Sequence, residues 1–328
     1  MFNPAAKLAT NLSDKSKLES KATRDGYGLG LVKAGEQNER VMALSADLTE
    51  STRALAFAEK FPERFIQVGI AEQNLVTIAS GLANYGKIPF ISSYAAFSPG
   101  RNYEQIRTTV CINNVPVKIA GHHAGISVGP DGATHQMLED IALMRALPNM
   151  VVIVPCDAVE AEKATLAAAG NNVPTYLRFS REKSPVFTTA ETPFEIGRAL
   201  VLRRGKDVSL VGCGPLLYEA LLAAEELSKA GIECEVINSH TVKPLDKNAI
   251  IESVKKTKAV VSIEEHQIAG GLGSAIAECL AENYPVPQEF VGMKDRFGES
   301  GTAAELIEKF GLNSNGIKTA VKKVITRK

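Results

Sequence analysis

The sequence predicts an α/β protein of two domains, each built on a mainly parallel sheet flanked by helices. From Arg24 onward, short runs rich in β-branched residues alternate with helical patterns, which is typical of a parallel sheet covered by helices. This alternation stops at residues 180–197, which hold proline, threonine and charge with little periodicity, and then restarts. The length of 328 residues also suits two domains better than one.

These patterns predict the organisation of the chain. We expect an N-terminal arm at residues 1–20, a first domain at 21–185, a linker at 186–196 and a second domain at 197–328. The arm is polar and lacks a steady hydrophobic period. The second domain is expected to serve assembly more than chemistry.

In the first domain, predicted strands and helices follow one another closely. The helix 71–86 has its apolar residues on one face and ends at Gly86, and the helix 134–147 begins at Thr134, a suitable N-cap. The predicted strands are 40–46, 65–68, 87–94, 115–121, 150–155 and 174–180; the predicted helices are 71–86, 102–114, 134–147 and 158–170.

The second domain repeats the alternation. Its predicted strands are 207–214, 232–239 and 258–265, and its predicted helices are 215–230, one near 246–254 and one that follows GGLGS. The string GGLGS at 270–274 lies between a strand and a helix, and we interpret it as a tight turn rather than a nucleotide site. The string GYGLG at 26–30 does not follow a predicted strand, which argues against a dinucleotide loop.

Composition excludes some classes of function. Lys plus Arg number 37 and Asp plus Glu number 37, so the balanced charge favours neither nucleic acid nor an anionic membrane as a partner. No apolar run approaches the ~20 residues of a membrane helix, and the N-terminus lacks the apolar core of a secretory signal. The five cysteines are scattered and never paired as CxxC, which predicts reduced, buried thiols and a cytoplasmic location.

Glu72, in RFIQVGIAEQN, is the first candidate functional residue. It lies in the first turn of a helix that follows a strand, where a carboxylate stabilises the helix dipole by ~0.3–1 kcal/mol. Alternatively, it is buried at the carboxyl edge of the sheet, where open α/β sheets bind ligands. A buried carboxylate needs a partner, and a protonated heteroaromatic nitrogen is one.

The loop HHAGISVGPDGATHQ is the second candidate, because it holds three of the five histidines of the chain. His122, His123, Asp131 and His135 lie within fourteen residues, among glycines that permit tight turns. Imidazole suits proton transfer near neutral pH. A zinc site is the competing interpretation, although the spacing matches no compact metal signature, and a solvated polar loop is the third.

Together these strings resemble one known family. GIAEQN, then YAAF at 94–97, then HHAGISVGPDGATHQ about fifty residues after the glutamate, and LPNM are similar in order and spacing to the pyrimidine-binding domain of transketolases, over about residues 20–185. The likeness continues through TVKPLD and SIEEHQIAGGLGS into the C-terminal domain of that family. The resemblance implies thiamine diphosphate as the cofactor and ketol transfer between sugar phosphates, as in the pentose phosphate pathway.

The resemblance also implies roles for residues that contact the cofactor. Glu72 would hydrogen-bond the pyrimidine ring nitrogen and hold the ring in its imino form, so that the imino group can remove the thiazolium proton. Phe97 would stack on the pyrimidine, with Tyr94 as the alternative and plain core packing as the competing explanation. Asp47 would lie near the cofactor.

Further roles concern the sugar substrate. Asp131, His123 and His135 would meet the hydroxyl and carbonyl groups of the ketose donor. Three other residues would bind the substrate phosphate, a role that suits the bidentate geometry of arginine. They are Arg24 in KATRDG, Ser51 in SADLTES and Arg181 in FSREKS.

His123 distinguishes between related enzymes. Deoxyxylulose-phosphate synthase resembles this chain through much of its length but carries Arg where this sequence has His123, so histidine favours transketolase. The beta subunits of 2-oxo-acid dehydrogenases share the activating glutamate, but DGATHQ is not expected in them. A non-catalytic scaffold or regulatory subunit is the alternative of another class, and it would not need Glu72, His123, Asp131 and His135 together.

One half of the expected cofactor site has no counterpart in the sequence. The family holds the diphosphate through Mg²⁺, with a GDG motif and an asparagine some thirty residues later, and only GPDG at 129–132 is similar. The resemblance is therefore to the C-terminal subunit of a split transketolase. It implies that a separate diphosphate-binding (N-terminal) subunit holds the divalent cation and that self-association gives a heterotetramer.

Overall fold

The computed structural model describes residues 1–328 and confirms the predicted α/β class. The strands are β1 (Ser20–Lys21), β2 (Val41–Ser45), β3 (Phe65–Gln67), β4 (Ile88–Tyr94), β5 (Lys118–His122), β6 (Val151–Ile153), β7 (Thr175–Arg178), β8 (Ser184–Pro185), β9 (Leu200–Arg203), β10 (Val208–Gly212), β11 (Cys234–Asn238), β12 (Thr241–Lys243), β13 (Val260–Gln267) and β14 (Gln288–Met293). The helices are α1 (Thr23–Gln37), α2 (Leu55–Lys60), α3 (Glu72–Asn84), α4 (Tyr103–Gln105), α5 (Asp140–Ala146), α6 (Ala158–Gly170), α7 (Leu216–Lys229), α8 (Lys247–Thr257), α9 (Leu272–Asn283), α10 (Ala303–Lys309) and α11 (Ser314–Ile325).

Two sheets organise these elements. The first has seven strands in the order β12-β6-β7-β5-β4-β2-β3, and the second has five in the order β14-β13-β10-β11-β9. All neighbouring strands are parallel except β12 beside β6 and β9 beside β11, so the outermost antiparallel strands lie at one edge of each sheet. Strands buried on both faces suit this arrangement, and β2, β5, β10 and β11 have no exposed residue.

A strand and an apolar core connect the two sheets. Strand β12 comes from the second half of the chain but completes the first sheet. One apolar core includes Ile91 and Val152 of the first sheet together with Val211 and Val260 of the second. The two sheets therefore hold each other in place.

The N-terminal segment packs against the second sheet. The Asn3 N–H donates to Leu202 O at 2.8 Å, and Ala6 and Leu12 are buried in the core that covers β10 and β13. Strand β1 pairs antiparallel with β8. Strand β8 lies within residues 180–197, where the sequence has little periodicity. Only isolated side chains of the polar N-terminal segment, such as Ala6 and Leu12, are buried. The segment therefore has no hydrophobic period that could be detected in the sequence.

Helix α1 was not predicted, because four glycines lower its intrinsic helix propensity. The string GYGLG lies inside α1, and its glycines allow close approach. A Cβ at Gly26 would lie 1.9 Å from Ala158 O, and a Cβ at Gly30 would lie 2.8 Å from Thr165 Cβ. The glycines thus let the backbones of α1 and α6 pack in direct contact.

The helix predicted at 134–147 begins at Asp140, so the prediction of Thr134 as its N-cap is wrong. Residues before Asp140 pair with the preceding loop instead, since the Gly125 N–H donates to Met137 O at 2.8 Å. Gln136 holds this arrangement by donating to the backbone oxygens of Ile126, Gly129 and Glu299. Tertiary hydrogen bonds thus override the helical pattern of the sequence.

The remaining sequence features are explained by burial. All five cysteines are free and buried, as predicted. None of the helices has the length and apolar character that a membrane crossing needs.

At GGLGS, the Glu264 carboxylate accepts from the N–H groups of Leu272 and Gly273, both at 2.8 Å, and so caps α9 itself. This supports a strand-to-helix turn rather than a nucleotide site.

Glu160 makes a buried contact between the two halves, and its titration predicts a pH effect. It accepts from Asn238 Nδ2 at 2.6 Å and from the Cys156 N–H at 2.7 Å, while burial and the neighbouring Asp157 raise its pKa to about 7. A raised pKa in the folded state stabilises the fold fully below about pH 4.5, and this contribution is lost as the pH rises through about 7. The loss amounts to about 3 kcal/mol.

The substitution Glu160→Gln removes this titration. We expect the unfolding free energy of the wild type to fall relative to that of the variant between pH 4.5 and 7.5, measured by denaturant unfolding at several pH values. Glutamine also changes the hydrogen bonds at this position, so the pH slope and not the absolute stability is the readout. Parallel slopes for the two proteins would contradict the assignment.

Candidate functional site

The candidate site lies at the carboxyl edge of the first sheet, where parallel strands end and their loops converge. Tyr94 ends β4 and His122 ends β5, while α3 follows β3 and begins at Glu72. Because β5 and β4 are neighbours and only β2 separates β4 from β3, side chains from distant parts of the sequence meet at this edge.

Glu72 is buried, with 2% of its surface exposed, at the first residue of α3. Its Oε2 accepts from Arg101 Nη1 at 2.6 Å, whereas Oε1 makes no hydrogen bond. The Arg101 side chain is 47% exposed, and its guanidinium lies 4.6 Å from the centre of the Phe97 ring. The buried carboxylate therefore has a half-exposed cation on one oxygen and no hydrogen bond on the other, and that cation also covers an aromatic face.

Asn102 fixes the backbone of this corner. It is fully buried, and its Nδ2 donates to Glu72 O at 2.9 Å and to Ser98 Oγ at 3.1 Å. Neither Arg101 nor Asn102 was predicted from the sequence. Nothing in SPGRN distinguishes them from ordinary loop residues, so only the folded geometry identifies them.

Four ring side chains form a cluster beside Glu72. The rings of Tyr94 and His123 are stacked at 4.0 Å, and those of Phe97 and His135 meet edge to face at 5.4 Å. Tyr94 and Phe97 lie 6.1 Å apart. Both aromatic residues predicted for the cofactor thus border the same space as two of the predicted histidines.

His123 is buried and neutral. Burial, with the charges of Arg24 and Arg181, lowers its pKa to about 3. Arg24 Nη1 lies 2.8 Å from His123 Nε2, and since arginine only donates, Nε2 accepts and the proton is on Nδ1. That Nδ1 is buried without a partner in the chain, so it is a hydrogen-bond donor available to a ligand.

His122 points elsewhere. Its ring packs on Tyr27 at 4.8 Å and on Phe179 at 5.1 Å, and burial holds its pKa well below the usual range. Nowhere in the chain do three His, Cys, Asp or Glu side chains group as metal ligands. The zinc interpretation of this loop therefore has no support in the geometry.

The other predicted residues fall into two groups around His123. Arg24 Nη1 also donates to Ser51 O at 2.9 Å, and Tyr94 Oη donates to Ser51 Oγ at 3.1 Å. Asp131 accepts from Arg181 Nη1 at 3.3 Å at the far side of the loop. Asp47 lines a cleft with Arg24 and Ser51, and its own N–H donates to Gln67 Oε1 at 2.8 Å.

The second half of the chain supports the site through Glu265 in SIEEHQ. Its Oε1 accepts from the Ser127 N–H at 2.6 Å, and a Cβ at Gly125 would lie 2.3 Å from that oxygen. Its backbone oxygen accepts from Arg178 Nη2 at 2.9 Å, and burial raises the pKa of its carboxyl. The loop that joins His123 to Asp131 is thus held by a residue of the second sheet.

This contact gives a testable role to Glu265. The substitution Glu265→Ala leaves the Ser127 N–H without a partner, and such a buried donor costs about 1–3 kcal/mol. We expect faster hydrogen exchange of residues 125–131, measured by mass spectrometry, and unchanged exchange in α7. Exchange that stays at the wild-type rate in 125–131 would show that Glu265 does not hold the loop.

Comparisons with known proteins agree with this arrangement. The family model "Transketolase, pyrimidine binding domain" matches residues 19–186, and "Transketolase, C-terminal domain" matches residues 197–317. The chain therefore belongs to the transketolase family. Membership implies thiamine diphosphate as the cofactor and a transferase of the ketol-transfer type.

Particular relatives carry names that describe part of a transketolase. The "6-deoxy-6-sulfo-D-fructose transketolase subunit SqwH" of a Clostridium species is 41% identical over 95% of this chain and 97% of its own. A "putative transketolase C-terminal section" of Methanocaldococcus jannaschii is 43% identical over 90% of this chain and 94% of its own. A solved structure titled "Split gene transketolase, inactive beta4 tetramer" superposes with a TM-score of 0.88 at 46% identity, covering 94% of this chain and 99% of that one.

Proposed function

We propose that this chain is the pyrimidine-activating subunit of a two-subunit transketolase, which transfers a two-carbon ketol unit between sugar phosphates. The observation that carries this proposal is the buried carboxylate of Glu72, whose Oε2 is paired with the half-exposed Arg101 that covers the Phe97 ring and whose Oε1 makes no hydrogen bond. A protonated ring nitrogen of the cofactor is the partner that this oxygen fits. When bound, thiamine diphosphate supplies the carbanion chemistry that breaks and forms the bond beside a ketose carbonyl.

The residues around Glu72 position an aromatic ring. Phe97 presents its face where the guanidinium of Arg101 now lies, so a flat ring that replaces Arg101 contacts the same face. The charge of Arg101 has solvent to move into, because almost half of its side chain is exposed. Glu72 then holds the proton of the ring nitrogen, with Tyr94 closing the other side of the cluster.

His123, Asp131 and His135 handle the ketose donor in this proposal. A neutral His123 donates from Nδ1 to a substrate oxygen while Arg24 fixes its ring through Nε2. Asp131 and His135 form hydrogen bonds with the hydroxyl and carbonyl groups of the ketose donor. Arg24, Ser51 and Arg181 bind the terminal phosphate, and Asp47 lies at the side of that cleft.

A partner subunit completes the site in this proposal. The relatives named as a subunit, a C-terminal section and a split-gene tetramer support it. The partner would hold the diphosphate through Mg²⁺, which provides the charge and oxygen coordination that a diphosphate needs.

The test is a product assay on the assembled enzyme. With a ketose phosphate and an aldose phosphate, we expect an acceptor longer by two carbons and a donor shorter by two carbons. Release of CO₂ from pyruvate without ketol transfer would contradict the proposal and favour deoxyxylulose-phosphate synthesis or 2-oxo-acid decarboxylation. A complex that assembles and binds the cofactor without turning over either substrate would indicate the scaffold alternative.

A further inference from the structure

A cleft of ≈ 350 Å³ beside His123 contains two arginines, of which only Arg24 was expected to bind substrate. Its other arginine, Arg53, has no role in the family resemblance. The cleft is lined by Arg24, Asp47, Leu48, Thr49, Glu50, Ser51 and Arg53.

Arg24 has no carboxylate partner within the chain. Its Nη1 donates to His123 Nε2 and to Ser51 O, and its Nε is buried with no partner at all. Burial lowers the pKa of Arg24, and the positive charge of Arg53 on the same cleft lowers it further, while Asp25 acts in the opposite direction. An anion between Arg24 and Arg53 would offset this effect of like charges.

Arg53 is held so that part of its guanidinium is free. Its Nε donates to Asp25 Oδ1 at 2.7 Å, and its Nη1 contact with Glu50 O is long, at 3.4 Å. Nη2 makes no hydrogen bond within the chain, and the side chain is 39% exposed. Asp25 is itself fixed, because its Oδ2 accepts from the Ala22 N–H at the start of α1.

The backbone of Arg53 is strained into this position. Its φ of +64° is in the left-handed region, which costs a residue other than glycine about 1 kcal/mol or more. Helix α1 packs directly against it, since a Cβ at Gly28 would lie 2.8 Å from both Arg53 Cβ and Arg53 O. Because Gly28, the central glycine of GYGLG, has no side chain, Arg53 can lie at the edge of the cleft.

We propose that Arg53 determines specificity for the terminal anionic group of the substrate. With Arg24, it provides two positive charges that favour a dianionic phosphate monoester over a monoanionic sulfonate. The acidic residues that border the cleft, Asp47 and Glu50, are exposed, so water screens their charges. This inference rests on the proposed function, and it concerns a residue outside the family motifs.

The experiment compares Arg53→Gln with the wild type in the assembled enzyme. The donors are a ketose 6-phosphate and the matching 6-deoxy-6-sulfonate. For Arg53→Gln we expect KM for the phosphate donor to rise about tenfold with kcat nearly unchanged, and KM for the sulfonate donor to change by less than about threefold. Arg53→Lys keeps the charge and should keep most of the preference. The control Lys255→Gln removes an exposed charge from α8 and should change neither KM.

Equal changes for the two donors, or no change for either, would overturn the proposal for Arg53. A wild-type complex inactive with both donors would instead count against the proposed function. A second measurement then decides the role of Arg53. The melting temperature of the purified chain is compared in inorganic phosphate and in methanesulfonate, at pH 8 and equal ionic strength. We expect a larger stabilisation by phosphate that Arg53→Gln loses; a phosphate effect that is identical in the variant would overturn the proposal.

Discussion

The substitution Glu72→Gln in the assembled enzyme is expected to lower kcat by about 10²–10⁴-fold, the range for loss of a positioned proton-transfer group. Glutamine keeps the size of the side chain and its place at the start of α3, but it has no negative charge to hold a protonated ring nitrogen. Steady-state ketol transfer measures the effect. The matched control is Glu63→Gln, which removes an exposed carboxylate of the same half of the chain.

The same variant separates chemistry from folding. Glutamine removes the desolvation cost of a buried charge, which offsets the loss of the ion pair with the half-exposed Arg101, so the melting temperature should change only slightly. We expect a well-folded protein that still assembles with its partner. A turnover close to that of the wild type would refute the role of Glu72, whereas loss of assembly would show that the residue acts in folding.

The substitution Gly26→Ala is expected to destabilise the chain by about 3 kcal/mol, although alanine normally favours a helix. Its Cβ would lie 1.9 Å from Ala158 O, a backbone atom that cannot move without shifting α6. Because α1 carries Arg24 and packs against Arg53, displacement of α1 should also raise KM for the phosphorylated donor. Denaturant unfolding and steady-state kinetics measure the two effects.

Gly81→Ala is the matched control for this prediction. Gly81 lies in α3, and a Cβ there would meet no atom within 4 Å. We expect this change to stabilise the chain by about 0.5–1 kcal/mol through helix propensity. If Gly26→Ala stabilised the chain as much as Gly81→Ala, the contact between α1 and α6 would not require glycine.

The sequence predicted the α/β architecture because alternating strands and helices leave a strong local pattern. It did not predict α1, since Gly26, Gly28 and Gly30 lower helix propensity and their benefit is a contact with residues far along the chain. It misplaced the start of α5 for a similar reason. The hydrogen bonds of Gln136 to Gly129 and Glu299 hold the preceding segment outside the helix.

For the candidate site, motifs predicted which residues would matter but not their partners. GIAEQN and the histidine loop identified Glu72 and His123, which lie beside the same aromatic cluster. The sequence did not predict roles for Arg101 and Arg53, because a single arginine in a loop has no distinguishing pattern. Glu265 belonged to a recognised string, yet its contact with Ser127 depends on the packing of two sheets that sequence periodicity does not specify.

The central claim is that this chain holds half of an active site. It is tested most directly by titrating the purified chain with a diphosphate-binding partner subunit in the presence of thiamine diphosphate and Mg²⁺, while ketol transfer is measured. The account predicts no turnover by either subunit alone and activity that rises until the subunits are equimolar. Full activity of this chain without the partner would contradict it.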